Sequence, residues 1–283
     1  LLNTDLTSSL TVSTTGNKNT LTDLVIATND DASLGALTIN AELAGSSSVV
    51  VDGDGSSFRA SALNTSGRVR YGGDLASFLV TGNFLRGHLE AKDLATAAIR
   101  GSFGDPNLSL RNEASITITN LGAIDIDGQD RGVIVVAREA NTINVDGTVS
   151  NALIRVGSRL GALTVGSLLR TRVSVGDFLG GATAASGATG GNQGVQAVRI
   201  LGDMFDSAIM VGGDLGADGE IGGTGLNADR VTSGFLGSVF VGGNFQESDI
   251  TAGTLRGSDG FFGTADDLVA AGRSTIGNVT IVG

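Results

Sequence analysis

The sequence predicts an all-β chain, a parallel β-helix or β-solenoid of short strands, with an antiparallel β-sandwich as the alternative. Three observations predict it. Residues 198–212 lie over residues 239–253 at an offset of 41 without a gap, so that Val198-Arg-Ile-Leu-Gly-Asp203 aligns with Val239-Phe-Val-Gly-Gly-Asn244, and a fixed period marks stacked units. Apolar residues recur in pairs at spacing two along most of the chain, the signature of short half-buried strands. Glycine with Asn or Asp follows almost every pair, as corners between strands require.

Taken in chain order, the pairs begin clearly at Val69/Tyr71 before Gly72-Gly73, then Phe78/Val80 before Gly82, then Leu89/Ala91. The Ala-rich stretch 94–99 could form a helical turn, but it falls on the same beat and is read as strand. Ile124/Ile126, Ile134/Val136, Ile143/Val145, Ile154/Val156, Leu163/Val165 and Val173/Val175 continue at intervals of nine to eleven residues. Alternation puts Ile154 and Val156 inside with Arg155 outside, and Val173 and Val175 inside around Ser174, leaving a polar outward set. Corners are expected at Gly157, Gly166, Gly176, Gly202, Gly212 and Gly243. Two strands per circuit give a rung of roughly 20 residues, and about 14 rungs stacked at ~4.8 Å; a three-strand rung fits equally. The recurrence of one strand sequence with its own loop positions favours the solenoid, since a sandwich needs no such self-similarity.

Composition is consistent with one elongated domain over 1–283. Hydrophobic residues make up 41% of 283, enough for a long core, while aromatics are 4%, which points to thin layers of Val, Ile, Leu and Ala. Forty-five glycines with a single proline, Pro106, exclude collagen, and the regular apolar pairs exclude a disordered chain. A net charge of −11 with lysine only at Lys18 and Lys92 argues against a nucleic-acid partner. No apolar run is long enough for a membrane span. The opening Leu1-Leu-Asn-Thr-Asp5 is neither a signal peptide nor a start methionine and reads as a processed product or an excerpt. The absence of cysteine excludes a disulfide scaffold. An acidic, lysine-poor, Thr/Ser/Gly/Asn-rich chain reads as extracellular or cell-surface material.

Inserts interrupt the beat near 180–194, 216–235 and 257–275, at equivalent places, so a solenoid stacks them on one edge. The first is a loop mostly of small residues without ligand chemistry; the second offers Asp218, Glu220 and Asp229. The third places Asp259, Asp266 and Asp267 among glycines, an oxygen-rich set that suits Ca²⁺, against the plainer reading of solvated Asx turns. This loop, Gly257-Ser-Asp-Gly-Phe-Phe-Gly-Thr-Ala-Asp-Asp267, resembles the Gly-x-Asp-Gly-x-Phe-Gly-Thr-x-Asp-Asp element of very large exported bacterial repeat proteins. The resemblance covers the C-terminal third best, implies surface or extracellular-matrix material, and implies no activity. The middle insert departs from it, with Gly223-Thr-Gly-Leu-Asn227 in place of the acidic end.

Catalytic readings are weak. Asp125, Asp127 and Asp130 lie close together, and alternation puts Asp125 and Asp127 on one outward face, where they could act on a sugar or simply be solvated. His88 is the only histidine and reads as an outward strand residue beside Leu89. The chain is therefore not read as an enzyme. Neither end supplies a cap, and 276–283 is a bare strand, so head-to-tail strand addition into a homopolymer is expected. The expected function is a self-assembling structural protein of an extracellular filament or cell-surface coat. The alternatives are an adhesin stalk or passenger binding glycans or surfaces, and a polysaccharide-degrading β-helix enzyme.

Overall fold

The structure is a computed structural model that describes residues 4–15, 19–29, 31–105, 114–128, 131–176, 194–216, 218, 221–222, 224–257, 259 and 262–283. Its contacts divide into unit 1, Leu1–Val135 with Ile143–Thr148, and unit 2, Val136–Thr142 with Val149–Gly283. Both are all-β and built from parallel ladders, which gives the solenoid and excludes the antiparallel sandwich. Among the described residues, antiparallel pairing is confined to two short hairpins, and the one helical element is the 3₁₀ turn Gly225–Asn227. Among the described residues, no helix is long and apolar enough to cross a membrane.

In unit 1 a single strand, Gly55–Tyr71, bends through all three sides of a rung. Its first side stacks Phe58 between Leu37 and Phe78, its second Leu63 between Leu43 and Phe84, its third Val69 between Val49 and Leu89. The rung is therefore three-sided, and Val49, Val69 and Leu89 repeat at a step of about 20 residues, the length that alternation and corner spacing predict. The stretch 94–99 is strand, as read, within Phe84–Ile99. The inward positions are buried aliphatics, but the core is not only thin: Phe58, Phe78, Phe84 and Phe103 form a run of ring contacts with centroid spacings of 5.2, 6.1 and 5.1 Å. In-register stacking brings Phe78 onto Phe58 on the first side and Phe103 onto Phe84 on the second, and Phe78 meets Phe84 across the corner between them, contacts that add to area burial.

Unit 2 has the same three sides. Gly194–Ile200, Met204–Phe205 and Ala208–Val211 form one rung, and Phe235–Val241, Phe245–Gln246 and Asp249–Ala252 the next. Val198 pairs with Val239, Met204 with Phe245 and Ile209 with Ile250. The 41-residue repeat is thus one rung, not two. Its extra length lies between the third side and the next first side, where the chain leaves the coil and returns.

Corners use two devices. After the second side the backbone turns through positive φ at residues other than glycine, namely Asn151, Arg170, Asp206 and Glu247. After the third side it turns at Gly176, Gly212 and Gly253. Gly157, Gly202 and Gly243 do not turn through positive φ; they are needed for close approach, as at Gly243, where a Cβ would lie 2.3 Å from Asp203 Oδ1. Side chains close the corners from rung to rung. Asp203 Oδ1 accepts the Asn244 N–H at 2.7 Å, Ser207 Oγ accepts the Thr171 N–H at 3.1 Å, and in unit 1 Asp54 Oδ1 accepts the Asp74 N–H at 2.7 Å. Each bond satisfies a backbone donor that the corner has taken out of its ladder.

Candidate functional site

The inserts of unit 2 are the feature that its rungs do not need for their own closure. In the 212–234 insert, Gly213–Asp214 pairs antiparallel with Arg230–Val231; in the 253–274 insert, Thr254–Leu255 pairs with Leu268–Val269. Both leave the coil at the equivalent glycine and share a base, since Thr232 N–H donates to Gly212 O at 2.7 Å and Ala270 N–H to Gly253 O at 2.8 Å. Each of these two inserts begins earlier than the spacing suggested, at the glycine that ends the third side. The 180–194 insert lies outside the described residues except for Gly194, which already belongs to a coil strand.

The hairpins fold back over the third side. Arg155, Ser174, Met210 and Thr251 alternate outward from the coil, yet all four are buried, which corrects the expectation of a solvated polar set at Arg155 and Ser174. Arg155 Nη2 donates to Gly216 O at 2.7 Å and lies 3.6 Å from Asp214 Oδ1, which also accepts the Gly216 N–H at 3.1 Å. The Ser174 hydroxyl donates to Gly213 O. Ala208, Met210, Leu215 and Leu255 make a second apolar cluster, with Ile221 and Val231 packed against it. An arginine taken out of water is held here by a carboxylate and a carbonyl, without which its burial would be strongly unfavourable.

Of the residues read as metal ligands, Asp259 and Asp266 are exposed and Asp267 is half-buried. Asp267 Oδ1 accepts the Gly257 N–H at 3.1 Å, and its Oδ2 accepts those of Gly263 at 2.6 Å and Thr264 at 3.2 Å. Asp266 Oδ2 accepts the Asp259 N–H at 3.2 Å, and its Oδ1 the Thr264 hydroxyl at 2.8 Å. The two carboxylates thus gather the loop's own donors, the chemistry of an Asx-type turn. Gly257 is fixed by the same packing, because a Cβ there would fall 2.2 Å from Asp266 Cγ. Among the described residues no group of three His, Asp or Glu side chains that could hold a metal ion is found.

In the middle insert, Asp229 Oδ2 accepts the Gly222 N–H at 2.6 Å. Burial raises the Asp229 pKa above the usual carboxylate value, Asp218 and Asp214 add to the rise, and the Gly222 N–H and Arg172 oppose it. Glu220 and Asp130 lie outside the described residues. Asp125 and Asp127 do share an outward face, but Arg100 Nη1 bridges them at 2.7 and 2.9 Å, and Asn144 Nδ2 donates to Asp125 Oδ1 at 2.8 Å. Hydrogen bonds and charge from these aspartates raise the Arg100 pKa. His88 is outward, with Nδ1 2.6 Å from Ser115 Oγ. The buried hairpin latch at Arg155 was not legible as a site, and the one available signal was Met210 at an outward position of the repeat.

Geometry and fold define the class, a parallel β-solenoid with hairpin inserts at one corner of its rung. Compared with protein-family models, with curated proteins and with solved structures, the chain gives no match in any of the three.

Proposed function

We propose that the chain is a structural protein of an extracellular filament or cell-surface coat, self-associating through open strand edges. The observation that carries this reading is the strand Thr275–Ile281. Ile276, Val279 and Ile281 stand in register on Leu236, Val239 and Val241, which are buried. The strand carries neither charge nor proline, so nothing in its sequence hinders a further strand from pairing with it. The same surface has already accepted a near-copy of itself, since Phe235–Val241 sits on Gly194–Ile200 in the register of the sequence repeat. A rung from another copy can add in the same way, and such a heterologous contact does not close, so it propagates as a fibre.

The resemblance of the 257–267 loop to exported bacterial repeat proteins supports an extracellular or cell-surface location. No catalytic chemistry is assigned to the chain, and the tie of Asp125 and Asp127 to Arg100 supports leaving it out. A second reading, an adhesin stalk whose inserts bind glycans or a surface, is favoured by the two hairpins that leave the coil at one corner of the rung. The calcium expectation for Asp259, Asp266 and Asp267 is carried into the test, because amide donors already occupy Asp266 and Asp267. Electron microscopy of the purified chain, with calcium and then with chelator, tests the reading. Polymers with an axial repeat of one copy support it, and their loss in chelator places the ion in the joint. Dispersed particles at high concentration in both conditions overturn it in favour of the adhesin.

A further inference from the structure

We infer that the two hairpins of unit 2 form an interlocked strap over the third side of the coil, that Arg155 is its latch, and that it opens in a fixed order. The inference is independent of the assembly reading. The hairpin 212–234 does not rest on its own rung. Its residues Gly213, Asp214 and Gly216 are bonded to Ser174 and Arg155, which occupy the two preceding third strands, Arg172–Val175 and Leu153–Val156. The hairpin 253–274 steps back in the same direction. Leu255, 1% exposed, packs in the cluster with Met210 and Leu215, and a Cβ on Gly213 would lie 2.9 Å from Leu255 Cδ2.

The holding forces are unequal. The first hairpin is fastened by an arginine and an aspartate whose side chains are 10% and 6% exposed, so the bonds are made away from competing water. Among the described residues, the second has as its buried anchor Leu255, seated on the first hairpin. Its ion pair, Arg256 to Asp249 at 3.2 Å, is more exposed, at 34% and 23%, and such pairs contribute less. Releasing Arg155 therefore frees the first hairpin and removes the floor beneath Leu255. Releasing Leu255 leaves the Arg155 latch closed. When both lift, Ala208 and Met210 become an exposed apolar strip beside the freed arginine.

Hydrogen exchange of the full chain, read amide by amide, tests the order. Thr232 reports on the base of the first hairpin and Ala270 on that of the second; Val239 reports on the coil. In Arg155→Met, both hairpin amides are expected to exchange faster by on the order of tenfold or more, the effect of losing a charge-assisted hydrogen bond, with Val239 unchanged. In Leu255→Ala, Ala270 is expected to speed up while Thr232 holds. Ser174→Ala, which removes one bond and buries no unpaired charge, gives a smaller rise at both amides and serves if Arg155→Met fails to fold. Faster exchange at Thr232 alone in Arg155→Met and Ser174→Ala, or equal release of both amides in Leu255→Ala, overturns the inference.

Discussion

In unit 1 the outward residues of the third side, Arg68, Arg70, His88 and Thr117, meet solvent; in unit 2 Arg155, Ser174, Met210 and Thr251, at the same place in the rung, do not. The strands themselves are alike. Arg68-Val69-Arg70-Tyr71 and Ala208-Ile209-Met210-Val211 both alternate, and both bury Val or Ile on the coil side. What differs is the connection that follows. In unit 1 the chain passes through the short segments 52–54 and 72–74 to the next first side, whereas in unit 2 it runs out through 212–234 and 253–274. The comparison teaches that burial of an outward residue is decided by the insert that folds back over it, which for Arg155 and Ser174 leaves the coil after a later strand, and so one strand pattern serves a wet face or a second core.

The comparison breaks most sharply when a charge is placed on each face. Met210→Asp puts an unpaired carboxylate into the Leu215 and Leu255 cluster and is expected to cost about 4 kcal/mol. Thr117→Asp, at an exposed outward position of unit 1, is expected to stay within about 0.5 kcal/mol. Urea denaturation of the two variants checks this. Similar costs for both would mean that the hairpins do not cover the third side.

A smaller and deliberately equal effect sharpens what the units share. Ser47 Oγ accepts the Leu24 N–H at 3.1 Å and donates to Ala44 O at 2.7 Å; Ser207 Oγ accepts the Thr171 N–H at 3.1 Å and donates to Phe205 O at 2.8 Å. Both serines are buried at the corner before a third strand. Ser47→Ala and Ser207→Ala each strand a backbone donor, and each is expected to cost about 1–3 kcal/mol. Calorimetric melting that found one variant neutral would deny that the corner is built on the same principle in both units.

The shared parts were the legible ones. Period-two alternation placed Val69, Ile154 and Val173 inward, and the copy of Val198–Gly212 at Val239–Gly253 gave the rung register residue for residue. The number of sides was not legible, because the second side shrinks to Met204–Phe205 and Phe245–Gln246, too short to show a period. Nor was the fate of Arg155, whose partners Asp214 and Gly216 lie about 60 residues on and are brought to it only by the fold of an insert. The Phe58 to Phe103 run of ring contacts escaped a reading based on composition, since few aromatics overall said nothing of their stacking in register on two adjacent sides.

The smallest effect is one of sign. Asp23 in unit 1 has its pKa lowered, first by the Ser46 hydroxyl at 2.6 Å and then by the Ser46 N–H at 3.0 Å. Its contribution is present above the ordinary carboxylate pKa and is lost as pH falls through the lowered folded value. Asp229 in unit 2 runs the other way, because burial raises its pKa, helped by Asp218 and Asp214. Folding then favours the protonated form, so the stability linked to Asp229 is complete below the ordinary value and is lost as pH rises through the raised one. Acidification from neutral toward about pH 4 should therefore tighten the 212–234 hairpin, while further acid should loosen the corner at Asp23. Amide exchange at Gly222 and Ser46, corrected for its intrinsic pH dependence, checks both signs. Asp229→Asn should flatten the first trend and Asp23→Asn the second, each without touching the other, because the two carboxylates answer to different local partners.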